Sequence, residues 1–371
     1  MERFELVVPT LFGLEALTAK EIRNLGYDTT SVTDGRVTFL GDFEAVCRAN
    51  IWLRTGERVL IKLAEFKALS FDELFDGTKK VDWGHWIPKN AAFPVTGFSV
   101  KSKLFSVPDC QSIIKKAIVD KLSREYGIRR FEETGTTYRI EFSIMKDTVT
   151  LMLDTSGEGL HKRGYRKKSN AAPLRETLAA SIAILSRFRY DGVLADPFCG
   201  SGTLPIEAAM IAKNIAPGLK RKFRAMDYRQ IPRGTWKDAK EEARELIKED
   251  TKIKIFASDI DDFAVNLTAE NAEKADVAEL ISVKQADVFD FTNEFSGGTI
   301  ICNPPYGERL LELRECESIY RKMGKMYKKL DKWSLYALTP AENFEDLFGR
   351  KASKKRKLYN GMIKCNLYQY F

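Results

Sequence analysis

The chain has 371 residues, of which 44% are hydrophobic and 30% are charged, as in a globular protein of two or three domains. The net charge of +8 is uneven: residues 1–160 hold 22 Lys+Arg against 23 Asp+Glu, and residues 161–371 hold 38 against 29. No apolar run approaches the ~20 residues of a membrane span, and the first residues lack a basic-plus-apolar pattern, so we expect no secretory leader. The six cysteines are scattered without a CxxC pair, which argues against a metal cluster and predicts reduced thiols in a cytoplasmic protein.

The first 155 residues predict a small α+β region with long strands. Alternating or β-branched runs predict strands, and apolar spacings of three and four predict helices. We predict strands over 2–8, 37–40, 60–66 and 93–101, helices over 11–25, 71–78 and 108–126, and a hairpin over 138–154.

Beyond about residue 172 strands and helices alternate, which predicts a parallel sheet. The strands fall over 192–196, 253–258, 281–285, 299–302 and 334–339, and the helices near 173–188, 204–213, 236–250, 262–275 and 316–330. Thr235 with Asp238 predicts a capping box for the third helix. Asn360-Gly361 predicts the turn of a terminal hairpin. Five parallel strands and a hairpin form the strand sequence of class I methyltransferases, a Rossmann-like α/β fold.

A glycine-containing turn follows the first of these strands. The segment from Val193 to Thr203 places Asp196 at the strand end and Gly200 and Gly202 in the turn before a helix. Glycines let a ligand approach the backbone, and the helix N-terminus offers free N–H groups to a carboxylate. The segment contains neither GxGxxG nor a P-loop lysine. A structural role for the turn therefore stays open until the later motifs are considered.

Two more acids follow neighbouring strands. Asp259 is placed to accept ribose hydroxyls, because ligands of doubly wound sheets lie beyond the strand C-termini. The alternative is a helix N-cap, for which Asp261 is an equal candidate. Asp287 is placed to accept from an adenine amine, or it is an ordinary turn residue.

The fourth motif is Asn303-Pro304-Pro305-Tyr306, directly after an apolar strand. An exocyclic base amine is a poor nucleophile because its lone pair is delocalised. The Asn303 side chain and the Pro304 carbonyl can each accept a hydrogen bond from one N–H group of this amine. These bonds favour a pyramidal nitrogen and stabilise its developing charge. The prolines hold the carbonyl rigidly, and Tyr306 offers a stacking face to an extruded base. The motif predicts chemistry at an amine nitrogen.

The four motifs, in this order, resemble the nucleic-acid amino-methyltransferases. With Leu160–Arg166, Ala172–Glu176 and Lys357–Gly361, the chain is similar to the bacterial THUMP-domain 23S ribosomal RNA guanine-N2 methyltransferases, often labelled N6-adenine-specific DNA methylases. The resemblance implies a ferredoxin-like part over 1–50, completed by 155–170, a THUMP RNA-binding domain over 51–155 and a methyltransferase domain over 165–371. Some relatives carry a second methyltransferase domain, an activity that we expect to be absent here.

The resemblance also implies the roles of the site residues. The turn from Phe198 to Thr203 holds the methionine moiety of S-adenosylmethionine, Asp259 the ribose and Asp287 the adenine, while Ala172–Glu176 closes over the cofactor. Asn303 to Tyr306 hold the target base. The full cofactor set is Asp196, Pro197, Phe198, Cys199, Gly200, Ser201, Gly202, Thr203, Asp259, Ile260, Asp287, Val288 and Asn303. The RNA-binding set is Lys101, Lys103, Lys115, Lys116, Lys162, Arg163 and Arg166.

Two other interpretations stay open. The Asn-Pro-Pro-Tyr motif serves adenine and guanine amines alike, so an N6-adenine methyltransferase of DNA or RNA is the nearest alternative. A non-catalytic RNA-binding or ribosome-assembly factor is the alternative of another class. We expect RNA as the partner because no large insertion is available to read a DNA major groove.

Overall fold

The computed structural model describes residues 3–166, 174–291, 295–307 and 310–371. The N-terminal half forms one seven-stranded sheet of order β2-β3-β1-β4-β7-β6-β5, antiparallel except for the β5–β6 pair. Its elements are β1 (Phe4–Pro9), α1 (Glu15–Asn24), β2 (Thr29–Thr33), β3 (Arg36–Gly41), α2 (Phe43–Trp52), β4 (Leu60–Lys67), α3 (Phe71–Lys79), α4 (Trp83–Trp86), β5 (Val95–Val100), α5 (Val107–Tyr126), β6 (Ile140–Met145) and β7 (Thr148–Asp154).

The structure adds elements that the sequence patterns did not predict, namely β2, α2 and the short helices α4 and α11 (Phe344–Phe348). β2 is mostly exposed and rich in threonine, so its side chains show no apolar alternation. Helix α2 begins after Asp42, whose side chain accepts a hydrogen bond from the Ala45 N–H. Pairing of β1 with β4 then joins the first strands and the later ones into one sheet.

The C-terminal half forms a second seven-stranded sheet of order β10-β9-β8-β11-β12-β14-β13. The first five strands in this order are mutually parallel, and β14 runs antiparallel to its neighbours β12 and β13, which confirms the predicted class I methyltransferase fold. The elements are α6 (Glu176–Ser186), β8 (Val193–Asp196), α7 (Thr203–Ala212), α8 (Arg233–Glu245), β9 (Lys254–Asp259), α9 (Asp262–Lys274), β10 (Ile281–Gln285), β11 (Gly298–Cys302), α10 (Leu310–Tyr327), β12 (Trp333–Thr339), α11 (Phe344–Phe348), β13 (Lys354–Asn360) and β14 (Ile363–Tyr370).

Two local predictions were wrong. Helix α8 begins at Arg233 after Pro232 and has no side-chain cap, so Thr235 lies within its first turn and the capping box does not form. Proline supplies a helix-compatible φ at that start without a capping hydroxyl. The terminal hairpin turns at Gly361 and Met362, because Asn360 still pairs with Ile363. Gly361 has a φ of +62°, which glycine adopts readily.

The two halves share a core. The segment between α7 and β9 packs into the N-terminal half: Tyr228 stacks on Tyr138 at 4.2 Å between ring centroids, and Trp236 joins the same apolar cluster. Arg48 of α2 forms a two-pronged ion pair with Glu242 of α8, at 2.8 and 2.9 Å. The halves are therefore tightly joined, and the assignment of residues 1–50, 51–155 and 165–371 to separate domains stays a prediction.

Within the described ranges, no helix has the length and apolar character needed to cross a membrane. All six cysteines are buried and free. In the same described residues, no three or more histidine, cysteine, aspartate or glutamate side chains converge as metal ligands would.

Candidate active site

Four adjacent strand ends bring the predicted motifs together. In the sheet, Asp196 pairs with Ala257, Gln285 pairs with Asp259, and Ile300 pairs with Ala195. The residues that follow β8, β9, β10 and β11 therefore lie along one edge. Strand β8 is flanked by β9 on one side and β11 on the other, so this edge includes the switch point where doubly wound sheets bind ligands.

The glycine turn after β8 is open at one glycine and packed at the other. Gly200 and Gly202 have φ values of +53° and +80°. A Cβ at Gly200 would meet no atom within 4 Å, whereas one at Gly202 would lie 2.8 Å from Thr268. Helix α7 begins at Thr203 with Gly202 as its cap, and its first turn leaves N–H groups without helical partners. This geometry fits the carboxylate of a bound ligand.

Asp259 holds the glycine turn from the neighbouring strand. Its Oδ2 accepts a hydrogen bond from the Gly200 N–H at 2.9 Å, and its Oδ1 accepts one from the Asp261 N–H at 3.1 Å. The cap of α9 is Asp261, which accepts from the Phe263 N–H. Asp259 is therefore not the helix cap. Each carboxylate oxygen keeps a lone pair for a ligand hydroxyl.

Two residues of α9 that sequence reasoning missed also hold this turn. The Thr268 hydroxyl donates to the Gly200 carbonyl at 2.9 Å, and the Asn271 side-chain amide donates to the Ser201 carbonyl at 3.0 Å. Both side chains are fully buried. Two polar residues three positions apart on an otherwise apolar helix face were the available signal.

Asp196 lies beneath the turn and is almost fully buried. Its Oδ1 accepts a hydrogen bond from the Phe198 N–H at 3.1 Å. Burial, with a smaller contribution from the Asp259 charge, raises the pKa of Asp196 well above its usual value. A cationic ligand group beside it would offset the cost of ionisation, which suits the sulfonium and ammonium groups of S-adenosylmethionine.

The far end of the same edge has an exposed apolar side chain. Ile260 directly follows β9 and is 69% exposed, while Val288 beyond β10 is buried and Asp287 is half-buried. A flat aromatic ring can cover the exposed Ile260 side chain, which lies beside the Asp259 and Asp287 carboxylates. These residues therefore fit the adenine end of the same cofactor.

Asn303 has a defined partner in its own motif. The Tyr306 hydroxyl donates to Asn303 Oδ1 at 2.6 Å, and the Pro305 carbonyl accepts from Tyr320 at 2.7 Å. Pro304 is buried, and Asn303 and Tyr306 are half-buried. Burial raises the pKa of Tyr306, so its hydroxyl stays protonated. The remaining lone pair of Asn303 Oδ1 is available to a substrate N–H.

The terminal hairpin contributes two hydrogen bonds to this motif. The Asn360 side-chain amide donates to the Tyr306 hydroxyl at 3.3 Å, and the Cys365 thiol donates to the same oxygen at 3.7 Å. The sequence pattern indicates Asn360 only as a turn residue. Glu308 and Arg309 after the motif, like Ala172 and Pro173 of the closing segment, lie outside the described residues.

The predicted RNA-binding cations divide into an internally engaged group and an exposed group, and burial argues against the prediction for Arg163 alone. Arg163 is 4% exposed, and its guanidinium bonds Glu207, the Leu160 carbonyl and the Arg54 carbonyl. Such a buried arginine cannot contact a macromolecule, because its side chain is not accessible. Its N–H groups are also already donated to these three partners. It instead joins its own segment to both halves of the protein, since Arg54 belongs to the N-terminal half and Glu207 to the C-terminal half.

Arg166 and Lys115 are also engaged internally. Arg166 donates to Thr203 Oγ1 at 2.5 Å and to the Leu174 carbonyl, so it braces the start of α7. Lys115 lies over the Phe93 ring and pairs with Glu133 at 2.5 Å. The exposed members are Lys101, Lys103, Lys116 and Lys162, and of these Lys162 pairs with Glu158.

The sheet order and a glycine turn bordered by strand-end carboxylates define a class I S-adenosylmethionine-dependent methyltransferase. Residues 163–369 match the UPF0020 family model, described as the RMKL-like methyltransferase domain. Residues 5–60 match the RlmL ferredoxin-like domain and residues 68–154 the THUMP domain. The chain belongs to this family of RNA methyltransferases, and its cofactor is S-adenosylmethionine.

Two related sequences match this chain over all or nearly all of its length. The Bacillus subtilis (strain 168) protein named "Putative RNA methyltransferase YpsC" is 50% identical, with 100% of this chain and 97% of that protein covered. The Psychromonas ingrahamii ribosomal RNA large subunit methyltransferase K/L is 33% identical over 98% of this chain, but over only 49% of its own length.

Two solved structures are also similar over the full chain. The crystal structure of SMU.472 complexed with SAH has a TM-score of 0.94 at 41% identity, with 100% of this chain and 98% of that one covered. The structure of "a predicted N6-adenine-specific DNA methylase" from Listeria monocytogenes has a TM-score of 0.95 at 47% identity, with 100% and 97% covered.

Proposed function

We propose that the protein transfers a methyl group from S-adenosylmethionine to the exocyclic N2 amine of a guanine in 23S ribosomal RNA. The observation that carries this proposal is the position of Asn303 and Pro304 at the end of β11, next to the strand that leads into the glycine turn. An amide acceptor and a rigid carbonyl beside a cofactor site suit an amine nucleophile. The names of the K/L relatives support ribosomal RNA, although the chain spans only half of their length.

At the cofactor end, the turn from Phe198 to Thr203 would hold the methionine moiety, and Asp259 the ribose. Asp287, Ile260 and Val288 would border the adenine, and Asp196 with Pro197 would form the floor beneath the sulfonium. When bound, S-adenosylmethionine supplies a methyl group that is already activated. The chain therefore needs no general base before transfer, and these acids bind the cofactor.

At the base end, Asn303 Oδ1 and the Pro304 carbonyl would each accept one N–H of the target amine. These contacts turn the nitrogen lone pair towards the methyl group and stabilise the positive charge that develops there. The Tyr306 hydroxyl already donates to Asn303 Oδ1, which fixes the orientation of the amide and leaves the second lone pair of its oxygen for the substrate. The Tyr306 ring would border the extruded base.

For RNA, the proposed contacts are the exposed lysines 101, 103, 116 and 162 together with the basic excess of the C-terminal half. Phosphate contacts from such residues add affinity through counterion release without selecting a sequence. The match of residues 68–154 to a THUMP domain supports an RNA partner.

The second candidate is N6-adenine methylation, which the name of the Listeria structure favours. The two amines present the same pair of N–H groups, so the target itself must be identified. The decisive experiment is mass-spectrometric mapping of ribosomal RNA and genomic DNA from cells that lack the protein. Loss of one N2-methylguanine from 23S RNA is expected. Loss of N6-methyladenine with unchanged guanine methylation would overturn the proposal, and an unchanged map of both would favour a non-catalytic factor.

A further inference from the structure

A cavity of about 560 Å³ lies on the face of the second sheet that adjoins the N-terminal half. Its walls come from α1, the end of α6, and strands β12, β14 and β13, so both halves of the protein contribute. Four cations line it: Lys20, Arg187, Lys354 and Arg356. Among the described residues that line it, none is an aspartate or a glutamate.

The register of the sheet explains why these charges converge. Lys354 pairs with Gln369, which pairs in turn with Tyr336, so these three side chains form one row across three strands. Arg356 is two residues further along the edge strand and points to the same face. Arg187 ends α6 in a left-handed conformation with a φ of +51°, and Lys20 lies on α1.

The four cations lack close ion-pair partners within the described chain. None of them forms an ion pair within 4.0 Å with a described carboxylate. Lysines on an edge strand commonly protect it from aggregation, but that role requires only that they face solvent. Here two cations of the edge strand meet two others from separate helices, and their mutual repulsion favours binding of an anion.

A further feature indicates a nucleotide rather than a simple ion. The ring of Phe371 also lines the cavity and is 66% exposed, and the inner wall is aliphatic. Cations beside an exposed aromatic ring are the combination that single-stranded nucleic acids use, with phosphates on the charges and a base on the ring. The cavity volume also lies within the range of ordinary ligand sites.

We propose that this cavity is a second contact site for the RNA substrate, which binds a backbone phosphate and its adjoining base away from the target nucleotide. Arg356 precedes Asn360 by four residues of β13, a separation of about 13 Å along the strand. Leu358 lies between them on the same face and is buried beneath Gly13, so an RNA strand that occupies the cavity and reaches the base pocket must pass over the outer edge of β13. This inference rests on the proposed RNA substrate, but not on which base is methylated.

The test is the salt dependence of binding to 23S ribosomal RNA purified from cells that lack the protein. The variant is Lys354→Gln/Arg356→Gln, and the matched control is Lys248→Gln/Lys252→Gln, which removes two exposed lysines elsewhere in the same half. The variant should bind RNA on the order of 10-fold more weakly, and its log–log salt slope should be shallower by about 0.7 for each phosphate that it no longer neutralises. The control should match the wild type.

A kinetic measurement separates this site from the catalytic centre. The variant should have a raised KM for RNA, with kcat and cofactor affinity unchanged. A salt slope and KM equal to those of the control would overturn the proposal. If the slope changes as expected but no guanine methylation depends on the protein, the cavity assignment stands and the proposed target fails. If the wild type binds no RNA, both fail.

Discussion

The Tyr306 hydroxyl donates to Asn303 Oδ1 at 2.6 Å while it accepts from the Asn360 side-chain amide. A phenol has only one proton, and Tyr306 donates it to Asn303 Oδ1, so the phenol oxygen can only accept from Asn360. The amide of Asn303 therefore presents its oxygen, rather than its nitrogen, at this contact. A residue of the terminal hairpin thus orients the proposed acceptor of the substrate amine.

Asn303→Ala should lower kcat by about 10²–10³-fold, because it removes an acceptor aimed at charge that develops during transfer. Cofactor affinity, measured by calorimetry, should stay within a few-fold of the wild type. Equal loss of both would refute the proposed division between base end and cofactor end.

Tyr306→Phe keeps the ring but frees the Asn303 amide, and kcat should fall about 10-fold, the equivalent of one hydrogen bond of roughly 1.4 kcal/mol. Asn360→Ala should act through the same hydroxyl, so it should have little further effect in the Tyr306→Phe background. Met362→Ala, at the exposed turn position of the same hairpin, is the control. Additive effects on kcat in the double-mutant cycle would show that Asn360 acts independently.

Thr268→Val and Asn271→Ala should each weaken cofactor binding by about 10-fold, because each releases a carbonyl of the glycine turn. The affinity for RNA should not change, since both side chains are buried beneath the turn. Calorimetry with S-adenosylmethionine and filter binding with RNA separate the two effects. An Asn271 variant with unchanged cofactor affinity would contradict the role that we assign to α9.

Asp196 should make stability depend on pH. Because its pKa is raised in the folded protein, the folded state keeps a proton that the unfolded chain releases. The retained proton stabilises the folded state. This contribution to the free energy of unfolding is fully present below the ordinary aspartate pKa of about 4, and it is lost as pH rises through the raised pKa. Asp196→Asn should therefore gain stability relative to the wild type as pH increases, measured by chemical denaturation between about pH 5 and pH 8.

The same substitution should remove a pH dependence of cofactor binding. The ionised carboxylate favours a cationic ligand, so the affinity of the wild type for S-adenosylmethionine should rise with pH over the same window. The asparagine variant should bind more weakly, with a flat profile. Parallel pH profiles for the two proteins would exclude Asp196 from contact with the cofactor charge.

Arg163→Met should destabilise the protein by about 3–5 kcal/mol, because it leaves the buried Glu207 carboxylate without its partner. The folded fraction should bind RNA as tightly as the wild type does. Lys162→Met, one residue earlier and exposed, is the matched control and should change stability little. Weakened RNA binding by fully folded Arg163→Met protein would instead support a surface role for this arginine.

Much of the catalytic half could be predicted because its signals are local. The apolar strands, the glycine turn and the Asn-Pro-Pro sequence depend on near neighbours, and the parallel topology follows from the alternation of strands and helices. β2 escaped prediction because an exposed strand need not alternate, and the cap of α8 was misassigned because proline began the helix without a hydroxyl.

The sequence by itself determined the fold class, the order of the motifs and the amine chemistry expected of Asn303, because each rests on residue types at short spacing. Only the tertiary structure decided that Arg163 is buried, that Thr268 and Asn271 hold the glycine turn, and that Asn360 reaches Tyr306. The hydrogen bonds from these residues to Glu207, Gly200, Ser201 and Tyr306 span 44 to 70 positions of the chain. Such contacts depend on how sheets and helices pack, and the spacing of residue types along the chain does not identify the partner of each residue.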